Sequence, residues 1–116
     1  MLEQLLQKLP WQDGRQKTGY KKLPFFEFNC CDAYVLYYPK GSEILPHVDK
    51  VEHGRHYRLN IILKQADLGG LFICDDYLFQ IYSRLFLFRP DIARHEVTRV
   101  HEGYRLVLSL GWLMKK

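Results

Sequence analysis

Two side chains able to hold a metal ion stand two residues apart in Leu45-Pro46-His47-Val48-Asp49. A third, His95, lies far downstream in Ala93-Arg94-His95-Glu96-Val97, and Arg105 follows ten residues after it. In an extended strand, residues i and i+2 point to the same face, so His47 and Asp49 can converge on one ion. A histidine from a neighbouring strand would complete a triangular set. Two imidazoles and one carboxylate leave about three positions of an octahedral ion open, an arrangement that suits Fe(II) acting on bound ligands. A structural zinc site prefers four protein ligands, usually with cysteine among them, and closes around its metal. Arg105 is a candidate anchor for an acidic co-substrate, because its planar fork matches two carboxylate oxygens.

The rest of the chain must position these groups. Its 116 residues provide for one domain with one core. Apolar residues make up 47% and aromatics 15%, which excludes a disordered chain. No apolar run approaches the roughly 20 residues of a membrane span. The stretch Met1-Leu2-Glu3-Gln4-Leu5-Leu6-Gln7-Lys8 lacks the basic and apolar regions of a signal peptide. A cytoplasmic location is therefore expected. Cys30, Cys31 and Cys74 make a poor disulfide framework, odd in number with two adjacent. They read as reduced thiols, buried or half-buried, with no redox role, and a reducing compartment would also suit Fe(II). The net charge of +4 is spread along the chain, with small clusters at Arg15-Gln16-Lys17, Lys21-Lys22 and Lys115-Lys116. That reads as a solvated surface rather than a nucleic-acid groove.

Residues 1–9 carry Leu2, Leu5, Leu6 and Leu9 at helical spacing, and Pro10 follows. Residues 11–23 read as a polar loop with Gly14 and Gly19; Tyr20 in it is expected at the surface by default, the alternative being a position over a site. From Phe25 onward the pattern is β: strands over 33–38, 43–48, 57–63, 71–74, 77–82, 84–88, 95–100 and 104–112, separated by turn residues. The last strand alternates strictly. Leu106, Leu108, Leu110 and Trp112 fall on one face, expected to pack in the core, and Arg105, Val107, Ser109 and Gly111 on the other. Tyr37 is expected in the core and Asp75-Asp76 in a turn. His53, His56 and His101 are expected at the surface rather than as ligands. Seven or eight short strands predict a sandwich or barrel.

Taken together, these motifs resemble the Fe(II)- and 2-oxoglutarate-dependent dioxygenases, and within them the prolyl-hydroxylase-like branch. The resemblance rests on Tyr38-Pro39-Lys40-Gly41 before His47-x-Asp49, on Gly69-Gly70, on Leu85-Phe86-Leu87-Phe88-Arg89-Pro90 before His95, and on Gly103-Tyr104-Arg105 after it. It covers residues 34–112. It implies a mainly β fold, a double-stranded β-helix or jelly roll, with the short helix before it and the core over residues 33–113. His47, Asp49 and His95 would then be the iron ligands, Arg105 would pair with the far carboxylate of 2-oxoglutarate, and Tyr38 would help to hold that co-substrate. The implied reaction consumes O2, converts 2-oxoglutarate to succinate and CO2, and hydroxylates a C–H bond.

Where prolyl hydroxylases offer a tyrosine to the co-substrate, this chain has Ile62. On strand parity Arg58 and Asn60 share its face, and are expected to bind co-substrate or a polar substrate. That points away from proline. The last strand also departs, after Arg105, from the pattern of AlkB-type nucleic-acid demethylases. The segment before the core is short, which predicts an open site and a large substrate such as a protein or peptide side chain. Two other readings stand beside this one: a non-catalytic metal- or ligand-binding jelly roll, and a nucleic-acid-directed oxygenase.

Overall fold

The computed structural model describes residues 2–115. It opens with helix α1 (Leu2–Leu6), shorter than the predicted 1–9. So short a helix has little stability of its own, and residues 7–9 leave it in turns before Pro10. Met1 of the predicted helix, and Lys116 of the terminal basic pair, lie outside the described residues.

Twelve strands follow among the described residues: β1 (Gln12–Asp13), β2 (Lys21–Glu27), β3 (Cys31–Tyr38), β4 (Ile44–His47), β5 (Arg55–Lys64), β6 (Leu68–Gly69), β7 (Phe72–Cys74), β8 (Phe79–Ile81), β9 (Leu85–Phe88), β10 (His95–Val97), β11 (Val100–Glu102) and β12 (Arg105–Met114). Seven form one sheet in the order β1-β2-β3-β12-β5-β9-β8; β4, β10 and β7 form a second; β11 and β6 make a two-stranded ribbon. The two larger sheets meet through aromatic side chains. Phe72 of β7 packs on Phe86 and Phe88 of β9, with ring centroids 5.0 Å apart in each case. Tyr38, Ile62, Val97, Val100 and Val107 complete the core between them. This is the jelly roll that the resemblance implied.

Three expectations are corrected. The polar segment before Phe25 is not all loop: β1 and the start of β2 lie in it, with β1 at the sheet edge and β2 paired between β1 and β3. More strands form than predicted, because a break separates Val97 from Val100 and short pairings form at Gly69. The faces of β12 are also reversed. Arg105, Val107, Ser109 and Gly111 are its buried residues, and Leu106, Leu108, Leu110 and Trp112 are half-buried. Small and polar residues line the inside because a cavity, not a solid core, fills that end of the barrel. Gly111 shows the constraint: a Cβ there would lie 2.2 Å from Nη2 of Arg58. No helix among the described residues is long and apolar enough to cross a membrane.

Candidate metal centre

His47 ends β4, and His95 begins β10 directly opposite it in the antiparallel ladder. Their rings lie with centroids 4.3 Å apart. Asp49 follows β4 and is held from behind, its backbone N–H donating to the Pro90 carbonyl at 2.7 Å. That bond ties the carboxylate to the segment leading to His95.

The imidazoles are oriented alike. Nδ1 of His47 lies 2.8 Å from the Leu45 carbonyl oxygen, and Nδ1 of His95 lies 2.9 Å from that of Ala93. A carbonyl oxygen only accepts, so each Nδ1 is assigned a proton, and Nε2 is the ring atom left to face Asp49. Both Nε2 atoms turn to Asp49, at 3.3 Å from Oδ1 for His47 and 3.5 Å from Oδ2 for His95. With bonds of about 2.1 Å, donors at right angles around one ion sit about 3.0 Å apart, so the three groups already form a cradle. All three ligand atoms lie within 4.8 Å of one another. Burial pushes the Asp49 carboxyl up. The hydrogen bond from His95 and the charges of His47, His95 and Arg15 outweigh that and hold it below the usual range. An ionised carboxylate beside two imidazole nitrogens is a donor set for a divalent cation, which binds once those nitrogens have given up any proton.

The centre opens on a cavity of about 430 Å³, whose walls include Tyr20, Tyr38, Arg58, Asn60, Phe88 and Ser109. Phe88 stands edge-on to His95 at 5.2 Å and keeps that side apolar. Tyr38 is 1% exposed and stacks on Tyr20 at 5.9 Å.

Arg105 begins β12 opposite Tyr38 on β3. It is 1% exposed, its guanidinium carbon lies 4.7 Å over the Tyr38 ring, and its Nε has no hydrogen-bond partner. It takes part in none of the ion pairs among the described residues. Burial lowers its basicity, and burial pushes the Tyr38 phenol up to about 12. A desolvated cation–π contact is worth about 2 kcal/mol. Burying an ion costs several kcal/mol. The tyrosine therefore does not offset the charge by itself. Arg105 lies behind Tyr38 and is not itself part of the cavity wall.

Arg58 and Asn60 do line the cavity, as their shared parity implied, but Arg58 is already occupied. Its Nη2 donates to both oxygens of Asp32 at 2.8 and 3.0 Å, and its Nη1 to Oγ of Ser109 at 2.8 Å. Ser109 in turn donates to Oδ1 of Asn60 at 2.6 Å.

Sequence reasoning missed the contribution of the first hairpin. Tyr20, expected at the surface, is buried against Tyr38; Gly14 makes room, since a Cβ there would touch the Tyr20 ring at 2.2 Å. Gln16 acts as a substitute strand at the edge of β4. Its Oε1 accepts from the Leu45 N–H at 2.7 Å, and its Nε2 donates to the Leu45 carbonyl at 3.0 Å. Arg15, largely exposed, reaches Oδ1 of Asp49 at 3.2 Å. The two glycines in this segment were the only signal of a shaped turn.

No protein-family model matches the chain, and no curated protein matches its sequence. Solved structures do. The chain is similar to a Pseudomonas putida prolyl-4-hydroxylase, with a TM-score of 0.69 at 14% identity over 99% of this chain and 82% of that one. It is similar to the Schizosaccharomyces pombe Cnp3 cupin domain, with a TM-score of 0.65 at 14% identity over 93% and 71%. It is also similar to the viral collagen prolyl hydroxylase of Paramecium bursaria Chlorella virus-1, whose structure is a 2OG complex, with a TM-score of 0.61 at 14% identity over 84% and 80%. At such identities the likeness is one of fold: a cupin-type jelly roll, here with a His-Asp-His cluster able to hold a metal ion.

Proposed function

We propose that this protein is an Fe(II)- and 2-oxoglutarate-dependent oxygenase that hydroxylates a C–H bond of its substrate. The reaction takes 2-oxoglutarate, O2 and R–H to succinate, CO2 and R–OH. The observation that carries the reading is Arg105, a buried cation without a counter-ion, on the barrel that also builds the His47, Asp49 and His95 cradle. The far carboxylate of 2-oxoglutarate would supply the missing charge by reaching Arg105 past Tyr38, the wall residue that covers the guanidinium.

An Fe(II) ion held by the three ligands would supply the open positions and the electrons that dioxygen chemistry needs. This chain's own residues do the rest. The Leu45 and Ala93 carbonyls fix both imidazoles with Nε2 forward. Phe72 and Phe88 exclude water from the His95 side. Arg58, held by Asp32, presents a neutralised polar wall with Asn60 and Ser109. Hydrogen-bonding capacity left on that wall suits a polar substrate better than the apolar ring of proline. The rim is formed by exposed Gln12, Asp13 and Arg15, which leaves room for a protein or peptide side chain. A reducing, cytosolic setting agrees with the three free thiols.

Succinate release is the direct test. Protein loaded with Fe(II) in the presence of 2-oxoglutarate and O2 should form succinate, and His47→Ala should abolish it. A second reading, a metal-binding cupin without turnover, is favoured by one observation: Arg105 lies behind Tyr38 instead of on the open wall. Metal binding with no succinate under any condition would establish that second reading.

A further inference from the structure

Cys30 ends the turn between β2 and β3 and Cys31 opens β3, at the far end of that strand from Tyr38. Neighbouring residues of an extended strand point to opposite faces, so adjacent thiols normally stay apart. Here the chain bends at residue 30, and the two Sγ atoms lie 3.3 Å apart. The bend is fixed from both sides. The Leu113 N–H donates to the Cys30 carbonyl at 2.8 Å, and the Phe28 N–H to the Cys31 carbonyl at 2.8 Å. Cys30 is exposed and Cys31 half-buried. Both line a second, smaller cavity of about 170 Å³ with Phe28, Asp32, His56 and Trp112. The sequence alone suggested inert thiols; the geometry does not.

We propose that Cys30 and Cys31 form a reactive vicinal dithiol, which a low-molecular-weight disulfide such as oxidised glutathione converts reversibly into a cyclic disulfide. Cys30, the more exposed, reacts first. Its thiolate attacks one sulfur of the reagent, one small thiol leaves, and a mixed disulfide remains on Cys30. Cys31 then loses its proton and attacks the Cys30 sulfur, and the second small thiol leaves. The protein gives up two electrons and two thiol hydrogens, and the reagent becomes two thiols. The sulfurs must close from 3.3 Å to about 2.0 Å. The hydrogen bond to Cys30, then burial, raises the Cys31 thiol, which makes Cys31 the resolving rather than the attacking residue. Ring closure acts on the next residue, Asp32, which holds Arg58 at the wall of the larger cavity. This proposal does not depend on the oxygenase reading.

The test uses the full chain in a Cys74→Ser background, exposed to oxidised glutathione, then alkylated after denaturation and weighed by mass spectrometry. The expected result is loss of the mass of two hydrogens, complete loss of alkylation at both residues, and full recovery with dithiothreitol. Replacing Cys31 by Ser should instead trap a stable glutathione adduct on Cys30. A stable adduct on the protein that retains both cysteines, a dimer linked between chains, or two thiols that remain alkylatable would each overturn the proposal.

Discussion

Two arginines are buried in this barrel, and they are treated oppositely. Arg58 is met by a carboxylate, a hydroxyl and the space left by Gly111; Arg105 is met by the face of Tyr38 and by no carboxylate. A buried charge with its counter-ion built in is part of the wall. A buried charge without one calls for a ligand to bring it. The contrast teaches how to read a polar barrel: the informative cation is the one the fold has not neutralised.

The contrast breaks first at Asp32. Asp32→Ala leaves Arg58 buried and unpaired, and should cost about 3–5 kcal/mol in urea unfolding. Arg105→Met, in contrast, removes an uncompensated charge and should be neutral or stabilising in the same measurement. Equal destabilisation by both would make Arg105 a structural residue like Arg58. Gly111→Ala comes next. The methyl group would collide with the Arg58 guanidinium, and overpacking of this kind costs about 1–3 kcal/mol. Ser109→Ala should cost about 1 kcal/mol, because Arg58 and Asn60 each lose a partner.

The smallest effect is one of pH. Burial, and then the nearby Arg58 charge, lower the pKa of His56 from its usual 6.5. The unfolded chain then binds more protons than the folded one below that value. Stability from this group is complete above about pH 6.5 and falls as the solution is acidified through the folded-state pKa. A His56→Asn variant should flatten the pH dependence of unfolding in that window; an unchanged slope would place its origin elsewhere.

The His47, Asp49 and His95 cluster was legible because residue type and spacing coincide: Asp49 stands two residues after His47, which ends β4, and a distal histidine lies opposite His47 on β10. Strand parity placed Arg58 and Asn60 on one face. It could not reveal Asp32, which pairs with Arg58 across the sheet with no local signal. The β12 faces were misjudged for a physical reason. Alternation assigns apolar residues to the interior, and a barrel that encloses a cavity reverses that rule at Ser109 and Gly111. Tyr20 and Gln16 were missed because a polar edge hairpin has no periodicity to read. The two sulfurs of Cys30 and Cys31 meet only because of a bend that the sequence does not announce.

The most direct test of the account is anaerobic titration of Fe(II) and 2-oxoglutarate into the metal-free protein, followed by the weak visible charge-transfer band of an iron-chelated ketoacid. The band should form in the unaltered protein and vanish in His47→Ala. Hydrogen bonds to a charged group are worth about 1.5–3 kcal/mol, so Arg105→Met should need roughly ten to a hundred times more ketoacid. Arg58→Met should need about the same amount as the unaltered protein, within a few-fold by the same scale. A band that weakens with Arg58→Met and not with Arg105→Met would contradict the assignment of the anchor. Iron bound with no band at any ketoacid concentration would contradict the oxygenase reading itself.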